Sequence, residues 1–269
     1  SFDANTTGAC NTAVGAGSLG ANTTANHNTA IGYEALAANT EGVANQAFGF
    51  RSLKAVTTGD YNVAVGHRNF LTLTTGSYNT GVGDDTGIEI VSGSNNLLLG
   101  ANSGRSNSPS GELTGSASNN VVLGNDNISN LFCADTSISS SDLRDKTDIE
   151  DFTHGLDFVT KLSPKTYRWD KRSWYVTDDN ESILDVTPDG SKKKNKKHIG
   201  FLAQDVLALE KEIGFANDRD DMLVVNQTED ETRYGLKYER LVPVLVNAIK
   251  ELSETNKDLK SRIEALESN

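Results

Sequence analysis

Cysteine is scarce in this sequence, which contains only Cys10 and Cys133 among 269 residues. They lie far apart, and neither has a neighbouring cysteine at the spacing of a zinc ligand pair or a disulfide framework. We therefore expect both to be small core residues. The four histidines likewise show no metal-ligand spacing, so we predict no metal site and no cofactor.

Long apolar runs are also absent. No stretch approaches the roughly 20 apolar residues that cross a bilayer, and no charged segment followed by a short apolar one opens the chain. These absences predict a polypeptide that does not insert into a membrane. Because the chain begins within a repeat at Ser1, we expect it to be part of a longer protein.

Positive charge is in deficit, with 25 Lys and Arg against 37 Asp and Glu and a net charge of -12. An acidic chain repels the phosphates of nucleic acids and the headgroups of anionic membranes. We therefore expect neither nucleic acid nor a membrane surface as a partner.

Glycine and charge divide the chain into two regions. Residues 1–140 hold 19 of the 24 glycines, with 10 acidic and 4 basic residues. Residues 141–269 hold 5 glycines, with 27 acidic and 21 basic residues. This shift in composition predicts two different architectures.

The first region is a repeat. Asparagine recurs every 17 residues from Asn11 to Asn96 and once more, after an insertion, at Asn120, and glycine follows each of them by four residues. The resulting segments are NTAVG, NTAIG, NQAFG, NVAVG, NTGVG, NLLLG and NVVLG. A fixed period of this kind is typical of stacked coils.

Each five-residue segment is predicted to be a short strand. Side chains alternate along a strand, so we expect Asn, the small residue and Gly on one face and the bulky Val, Ile, Phe or Leu on the other. Stacked Asn side chains are expected to form amide ladders. An apolar residue eight positions after Asn marks a further inward position in four coils. Those residues are Leu19, Leu36, Leu53 and Phe70.

One coil cannot fold alone, because ordering 17 residues costs more than burying two or three apolar side chains returns. Neighbouring coils and neighbouring chains must supply the rest. We predict an all-β solenoid or β-roll over residues 1–134 that trimerises, and a monomeric β-helix is the alternative. The pattern resembles the Asn- and Gly-rich head repeats of trimeric autotransporter adhesins and of bacteriophage tail fibres.

The second region is predicted to be α+β. The segment "FTHGLDFVTKLSPKTYRWD" predicts a short helix leading into a strand, and "HIGFLAQDVLALEKEI" predicts a strand entering a helix. The Lys-rich run "SKKKNKKH" between them is expected to be a solvated hairpin tip.

Apolar residues with alternating spacings of four and three follow Tyr238, which is the pattern of a coiled-coil seam. A polar Asn in this seam is expected to fix the register. Packing of the helix on its own domain is the alternative. Because one rotational assembly must suit both the solenoid and the coil, we predict a homotrimer. The predicted core is Leu245, Ile249, Leu252, Asn256, Leu259, Ile263 and Leu266.

Four separated blocks in the second region point to a known family. They are "SDLRDKTDI" from Ser141, "LSPKTYRW" from Leu162, "IGFLAQDV" from Ile199 and "YERLVPVLVNAIKEL" from Tyr238. Together they resemble the intramolecular chaperone domain of the S74 peptidase family, found at the C-termini of phage tail fibres, tail spikes and endosialidases. The resemblance spans about residues 141–255. Its motif residues include Asp142, Arg144, Ile149, Gly200, Phe201 and Gln204.

The resemblance implies that this domain drives trimerisation of the fibre before it and then cuts itself off with a Ser–Lys dyad. On this chain it implies Ser141 as the nucleophile, Lys146 as its base, and a scissile bond between Ser140 and Ser141. A lysine can take a serine proton if burial or a nearby cation, such as Arg144, favours its neutral form. The predicted organisation is a solenoid over residues 1–134, a linker over 135–140, a chaperone domain over 141–243 and a coiled-coil helix over 244–269.

Ser141 and Lys146 are five residues apart, which on a continuous helix directs their side chains about 140° away from each other. Either the segment bends, or Lys146 of one chain acts on Ser141 of an adjacent chain. A Ser-rich linker that caps a helix is the alternative interpretation of "SSSDLRDK".

These patterns favour a self-cleaving segment of a viral tail fibre or spike, assembled in the host cytoplasm and located in the virion. Its expected partners are two further copies of itself and a host cell-surface receptor, either a glycan or a protein. The alternative is a trimeric bacterial adhesin whose terminal domain assembles it without a cut. A glycan-degrading spike would need paired carboxylates, whereas isolated acids on a repeat scaffold more often serve solubility. The candidate carboxylates are Glu34, Asp84, Asp85 and Glu89.

Overall fold

The computed structural model describes residues 2–128, 130–131, 141–176, 183–228 and 232–268. In these ranges the chain forms a seven-stranded parallel sheet, two antiparallel strand pairs and three α-helices. The parallel strands are β1 (Thr12–Val14), β2 (Thr29–Ile31), β3 (Gln46–Phe48), β4 (Val63–Val65), β5 (Thr80–Val82), β6 (Leu97–Leu99) and β7 (Val121–Leu123). The other elements are α1 (Leu156–Lys161), β8 (Lys165–Tyr167), β9 (His198–Gly200), α2 (Ala203–Glu212), β10 (Val225–Gln227), β11 (Tyr234–Leu236) and α3 (Leu241–Glu267).

The β-solenoid predicted for the first region is confirmed. The strands lie side by side in chain order, and each pairs in parallel with the next. Thr12 faces Thr29, and Thr29 faces Gln46, so the register of the sheet equals the 17-residue period of the sequence. The insertion before the last repeat lengthens one step to 24 residues, since Leu97 faces Val121.

The asparagine column forms the predicted amide ladder. The side-chain amide of Asn62 donates to Oδ1 of Asn45 at 3.0 Å and to the carbonyl oxygen of Gly76 at 2.9 Å. Its own Oδ1 accepts from the backbone N–H of Asn79 at 3.0 Å. Asn62 is fully buried, and these bonds satisfy a polar group that would otherwise be costly inside the coil.

The two faces of each strand differ as the alternation predicted, and the Asn face is the inner one. The residues eight positions after Asn are fully buried: Leu19, Leu36, Leu53 and Phe70. Most small residues at the centre of the strands are buried beside them, among them Ala30, Ala47 and Ala64. The bulky strand residues point outward and leave an apolar stripe exposed along the sheet. This stripe includes Val14, Ile31, Val65 and Val82.

The turns of the coil use left-handed backbone. Gly66 has a φ of 139°, and a Cβ there would lie 2.1 Å from the carbonyl oxygen of Gly83, so only glycine fits this close approach. The residue before each repeat Asn also has positive φ, for example Ala44 at 56°. Cys10 occupies the same place in its coil and is exposed. The prediction that Cys10 is a core residue is therefore wrong, because its position is an outward turn. Cys133 lies outside the described residues.

The chain divides into two compact units that are not continuous in sequence. The first comprises Ser1–Leu131, Asp170–Lys192 and Thr228–Arg233, and the second comprises Phe132–Trp169, Lys193–Gln227 and Tyr234–Asn269. The domain limits at residues 134, 140 and 243 stay a prediction. The predicted linker over 135–140 lies outside the described residues.

The second unit is a small α+β body, as predicted. The helix and strand expected in its first segment are α1 and β8, and those expected in the segment after the Lys-rich run are β9 and α2. Its core includes Phe158, Val206, Val225 and Leu241. The buried carboxylate of Glu210 accepts the backbone N–H groups of residues 223, 224 and 225 at 2.6 to 3.1 Å, which joins α2 to the start of β10.

The C-terminal helix α3 has one buried patch and one exposed seam. Leu241, Val244 and Ala248 are buried near its start, so packing on its own unit holds for the first turns only. The seam is exposed from one end to the other. Its residues are Leu245, Ile249, Leu252, Asn256, Leu259, Ile263 and Leu266. Among the described residues, no helix is long and apolar enough to cross a membrane.

Candidate active site

Ser141 and Lys146 flank a tight turn. Residues Leu143–Asp145 form one turn of 3-10 helix, which Asp142 caps by accepting the backbone N–H of Arg144. Lys146 leaves the turn in an extended conformation, and its backbone N–H donates to the carbonyl oxygen of Leu143. The segment therefore bends instead of continuing as an α-helix, which was one of the two alternatives drawn from the sequence.

The bend brings the two proposed dyad side chains together within one chain. The Nζ of Lys146 donates to Oγ of Ser141 at 2.7 Å. This is within the reach that a nucleophile and its base require. Ser140, on the other side of the predicted scissile bond, lies outside the described residues.

Arg144 is bound to Asp142 and not to the dyad. Its Nη2 lies 2.6 Å from Oδ2 of Asp142, and its Nε lies 3.0 Å from Oδ1. This guanidinium holds the pKa of Asp142 below its ordinary value, and the carboxylate raises the pKa of Arg144 in return. The charge of Arg144 is thus compensated, so the expectation that it acts on Lys146 as a bare cation is wrong.

The Ser141–Lys146 pair is exposed in the single chain. A lysine acts as a base only when its surroundings favour the neutral form, and removal from water is the usual means. Nothing in the described single chain buries the pair. Ile149, another motif residue, is 63% exposed, so an apolar surface is open three residues after Lys146.

Two further motif residues, Gly200 and Phe201, form a second cluster at the end of β9. The backbone N–H of Phe201 donates to the hydroxyl of Tyr238 at 3.1 Å. A Cβ on Gly200 would lie 2.5 Å from the same hydroxyl, so glycine leaves room for it. Burial raises the pKa of Tyr167, which neighbours Gly200, and Tyr238 adds to the shift. Gln204 is exposed near the start of α2.

A second Ser–Lys contact lies in the same unit. The Nζ of Lys165 donates to Oγ of Ser163 at 2.7 Å, and both residues are exposed. The distance alone therefore does not mark a dyad. Position at the start of the chaperone-like region distinguishes Ser141 from Ser163.

The carboxylates considered for glycan cleavage lack the properties of a general acid. Lys54 and Arg51 bind Glu34, and the hydrogen bond from Lys54 holds the pKa of Glu34 below its ordinary value. Arg68 does the same to the pKa of Asp85. A glycosidase acid needs a raised pKa, so neither carboxyl fits that role.

One mixed group of His and Asp side chains stands out among the described residues. Nδ1 of His67 lies 2.7 Å from Asp84 and 3.6 Å from Asp85. The spacing of 17 residues between His67 and Asp84 could have revealed this pair, and the sequence analysis missed it. Arg68 forms two hydrogen bonds with Asp85, and Arg105 lies 3.3 Å from the same carboxylate. The two guanidinium groups compensate the acidic charge, so we assign no metal here.

Comparison with protein families gives one match. Residues 141–215 match the model of the S74 peptidases, described as the chaperone of endosialidase. A comparison with curated proteins found no match, and neither did one with solved structures. The matched region begins at Ser141, the residue that the 3-10 turn presents to Lys146.

Proposed function

We propose that this chain, whose residues 141–215 form a chaperone domain of the S74 family, is a segment of a trimeric fibre or spike that cuts itself between Ser140 and Ser141. The observation that carries the proposal is the 2.7 Å contact between Lys146 Nζ and Ser141 Oγ at the first residue of the matched region.

The proposed reaction uses only groups of this chain and water. Lys146 takes the hydroxyl proton of Ser141 as Oγ attacks the carbonyl carbon of Ser140. The C–N bond breaks, Lys146 returns the proton to the amine of Ser141, and an ester joins Ser140 to the oxygen of Ser141. Water then hydrolyses the ester, which leaves a carboxylate on Ser140 and a free amine and hydroxyl on Ser141.

Trimerisation is supported by two exposed apolar surfaces. The seam of α3 repeats with coiled-coil spacing and is left without partners beyond the first turns of the helix. The outward stripe on the solenoid adds a second apolar surface that a neighbouring chain could cover. A rotational homomer would bury both.

Assembly would also complete the site. The dyad is formed within one chain but stays exposed there, and an adjacent chain could remove Lys146 from water. Cleavage would then follow assembly, and the chaperone would be removed from a fibre that has already folded. Such a fibre resists unfolding kinetically, since the device that helped it form is gone.

The decisive experiment is a denaturing gel of the purified protein beside Ser141→Ala. We expect the unmodified chain to give fragments 1–140 and 141–269, and the variant to give one intact chain. Lys146→Arg should also stay intact, because arginine keeps the charge but does not act as a base at neutral pH. An uncut unmodified chain, after sedimentation has shown assembly, would contradict the proposal.

Ser163→Ala and Lys165→Ala are the matched controls, since they remove a Ser–Lys contact of equal length. Both should cleave normally. Mixed assemblies of Ser141→Ala and Lys146→Ala chains test whether the dyad lies within one chain. The within-chain contact predicts that each mixed assembly stays uncut, whereas a cut product would assign Lys146 to the adjacent chain.

The biological setting is part of the proposal. We place the protein in the virion, after assembly in the host cytoplasm, with a glycan or a protein of the host cell surface as receptor. A bacterial trimeric adhesin is the second candidate, favoured by the solenoid with its Asn ladder. The gel separates the two, because the adhesin would assemble and remain whole.

A further inference from the structure

One carboxylate near the end of the solenoid is buried among partners from later parts of the chain. Asp126 follows β7 by three residues, and its side chain is 2% exposed. Nζ of Lys171 lies 3.0 Å from its Oδ1, and Nη1 of Arg233 lies 3.0 Å from its Oδ2. The hydroxyl of Ser173 donates to Oδ2 as well. Both carboxylate oxygens therefore have charged partners.

The partners of Asp126 are themselves fixed. Arg233 also donates through Nη2 to the carbonyl oxygen of Ser106 in the solenoid. Its backbone pairs with Thr228, and Arg172 donates to the carbonyl oxygen of Thr232 at 2.6 Å. The segments Asp170–Lys192 and Thr228–Arg233 accordingly form one compact unit with Ser1–Leu131.

The position of the proposed cut gives this cluster a special place. Asp126 and Ser106 precede the Ser140–Ser141 bond, whereas Lys171, Ser173 and Arg233 follow it. After the cut, no peptide bond joins the two groups within one chain. The hydrogen bonds and ion pairs of the first unit would still cross from one fragment to the other.

A buried ion pair holds two pieces together only when its geometry is good and its remaining hydrogen-bonding capacity is satisfied. The Asp126 cluster meets this condition, with two cations and a hydroxyl on one carboxylate. Loss of the carboxylate charge would leave Lys171 and Arg233, both largely buried, facing a neutral group. This loss costs far more than removal of an exposed pair.

We infer that Asp126 retains the C-terminal fragment on the solenoid after cleavage, so that release of the chaperone needs a second step in which this ion cluster opens. The inference rests on the proposed function for its biological meaning. Its physical content concerns only how tightly residues 1–140 hold residues 141–269 once the bond between them is cut.

The test makes the cut independently of the dyad. In the full chain carrying Ser141→Ala, a site for a specific protease replaces the segment 135–140, and the cut protein is passed over a gel-filtration column. The fragments should elute together. The same protein with Asp126→Asn, which keeps the shape and removes the charge, should separate, with a fragment dissociation constant roughly 30-fold or more higher.

Glu34→Gln is the matched control, since Glu34 also binds two cations but both belong to the solenoid. It should elute as the parent does. If Asp126→Asn does not fold, Arg233→Met removes the opposite charge and keeps the side-chain length. Separation of the parent fragments, or co-elution of the Asp126→Asn and Arg233→Met fragments at parental affinity, would overturn the inference. Because the protease makes the cut, failure of self-cleavage leaves this result readable.

Discussion

At the scale of single residues, the fourth coil shows how the repeat exchanges volume between neighbouring positions. Phe70 stands where three other coils have leucine, and Gly81 stands where the strands β1 to β4 have alanine. A Cβ on Gly81 would lie 2.6 Å from the ring of Phe70 and 2.3 Å from Oδ1 of Asn69. The larger side chain in one coil thus occupies the space of the missing methyl group in the next.

We predict that Gly81→Ala destabilises the solenoid by about 1 to 3 kcal/mol, because an added methyl group in a filled core forces strain. The same change should be tolerated when Asn69→Ser and Phe70→Leu accompany it, since Ser52 and Leu53 already face Ala64. Thermal unfolding of the four variants in a Ser141→Ala chain measures the coupling. An equal loss in both backgrounds would show that Phe70 and Asn69 do not fill the site.

Much of the residue-level structure follows from the period. Stacked coils place residue i beside residue i+17, and this alone predicts the strand register, the Asn ladder and the buried leucines. The same arithmetic pairs Glu34 with Arg51 at 2.9 Å and stacks Tyr61 on Tyr78 at 5.2 Å. These contacts were predictable and were missed, because the search for sites looked for short spacings. The exposure of Cys10 was missed because the period does not reveal which turn points outward.

At the scale of elements, α3 serves two surfaces. Its first turns pack on the second unit through Leu241, Val244 and Ala248, and Asn247 donates to the carbonyl oxygen of Phe152 at 2.5 Å. The remaining turns present the seam alone. Alternating Ile and Leu also suits two-stranded coils, so the number of chains must be measured.

We predict that Ile263→Asp breaks the assembly, because a charge in the seam would be buried without a partner. Sedimentation equilibrium should give three chains for the parent protein and a lower mass for the variant. Ser261→Asp places the same charge on the side of α3 opposite the seam and should leave the mass unchanged. A two-chain parent would contradict the trimer, and an unaffected Ile263→Asp would contradict the seam.

The elements of the second unit were predictable where apolar periodicity is strong, as in α2 and α3. The contact between Ser141 and Lys146 was not, because a single 3-10 turn depends on local caps such as Asp142 and leaves no periodic signal. The packing of Asp170–Lys192 and Thr228–Arg233 with the solenoid was also beyond reach. These segments carry no repeat, and their ion pairs join residues more than 40 positions apart.

At the scale of the whole molecule, the Asp126 cluster makes the first unit sensitive to acid. Burial raises the pKa of Asp126, but the hydrogen bond from Ser173 and the charges of Arg233 and Lys171 outweigh burial, and the pKa lies below its ordinary value. A carboxyl with a lowered pKa stabilises the folded state above the unfolded value, about 3.9 for Asp. That contribution is lost as the pH falls through the folded pKa.

We therefore predict that the segment around Lys171 loosens below about pH 4. Trp174 can report this, since Lys171 Nζ lies 5.8 Å from the centre of its ring. Fluorescence of a Trp169→Phe, Ser141→Ala chain should change in this range and stay constant from pH 5 to 8. Asp126→Asn should already show the altered signal at neutral pH. A titration that is identical in both chains would assign the acid response to another group.

Because each coil bonds only to the coil before it and the coil after it, reach is a modular quantity in this fibre. Deleting or duplicating one whole unit shortens or lengthens the shaft by about 4.8 Å if each chain winds separately, and every other coil keeps its partners. A change of one or two residues instead shifts all later side chains out of their columns. Selection on how far the tip extends can therefore proceed in whole coils, without altering the domain that assembles it.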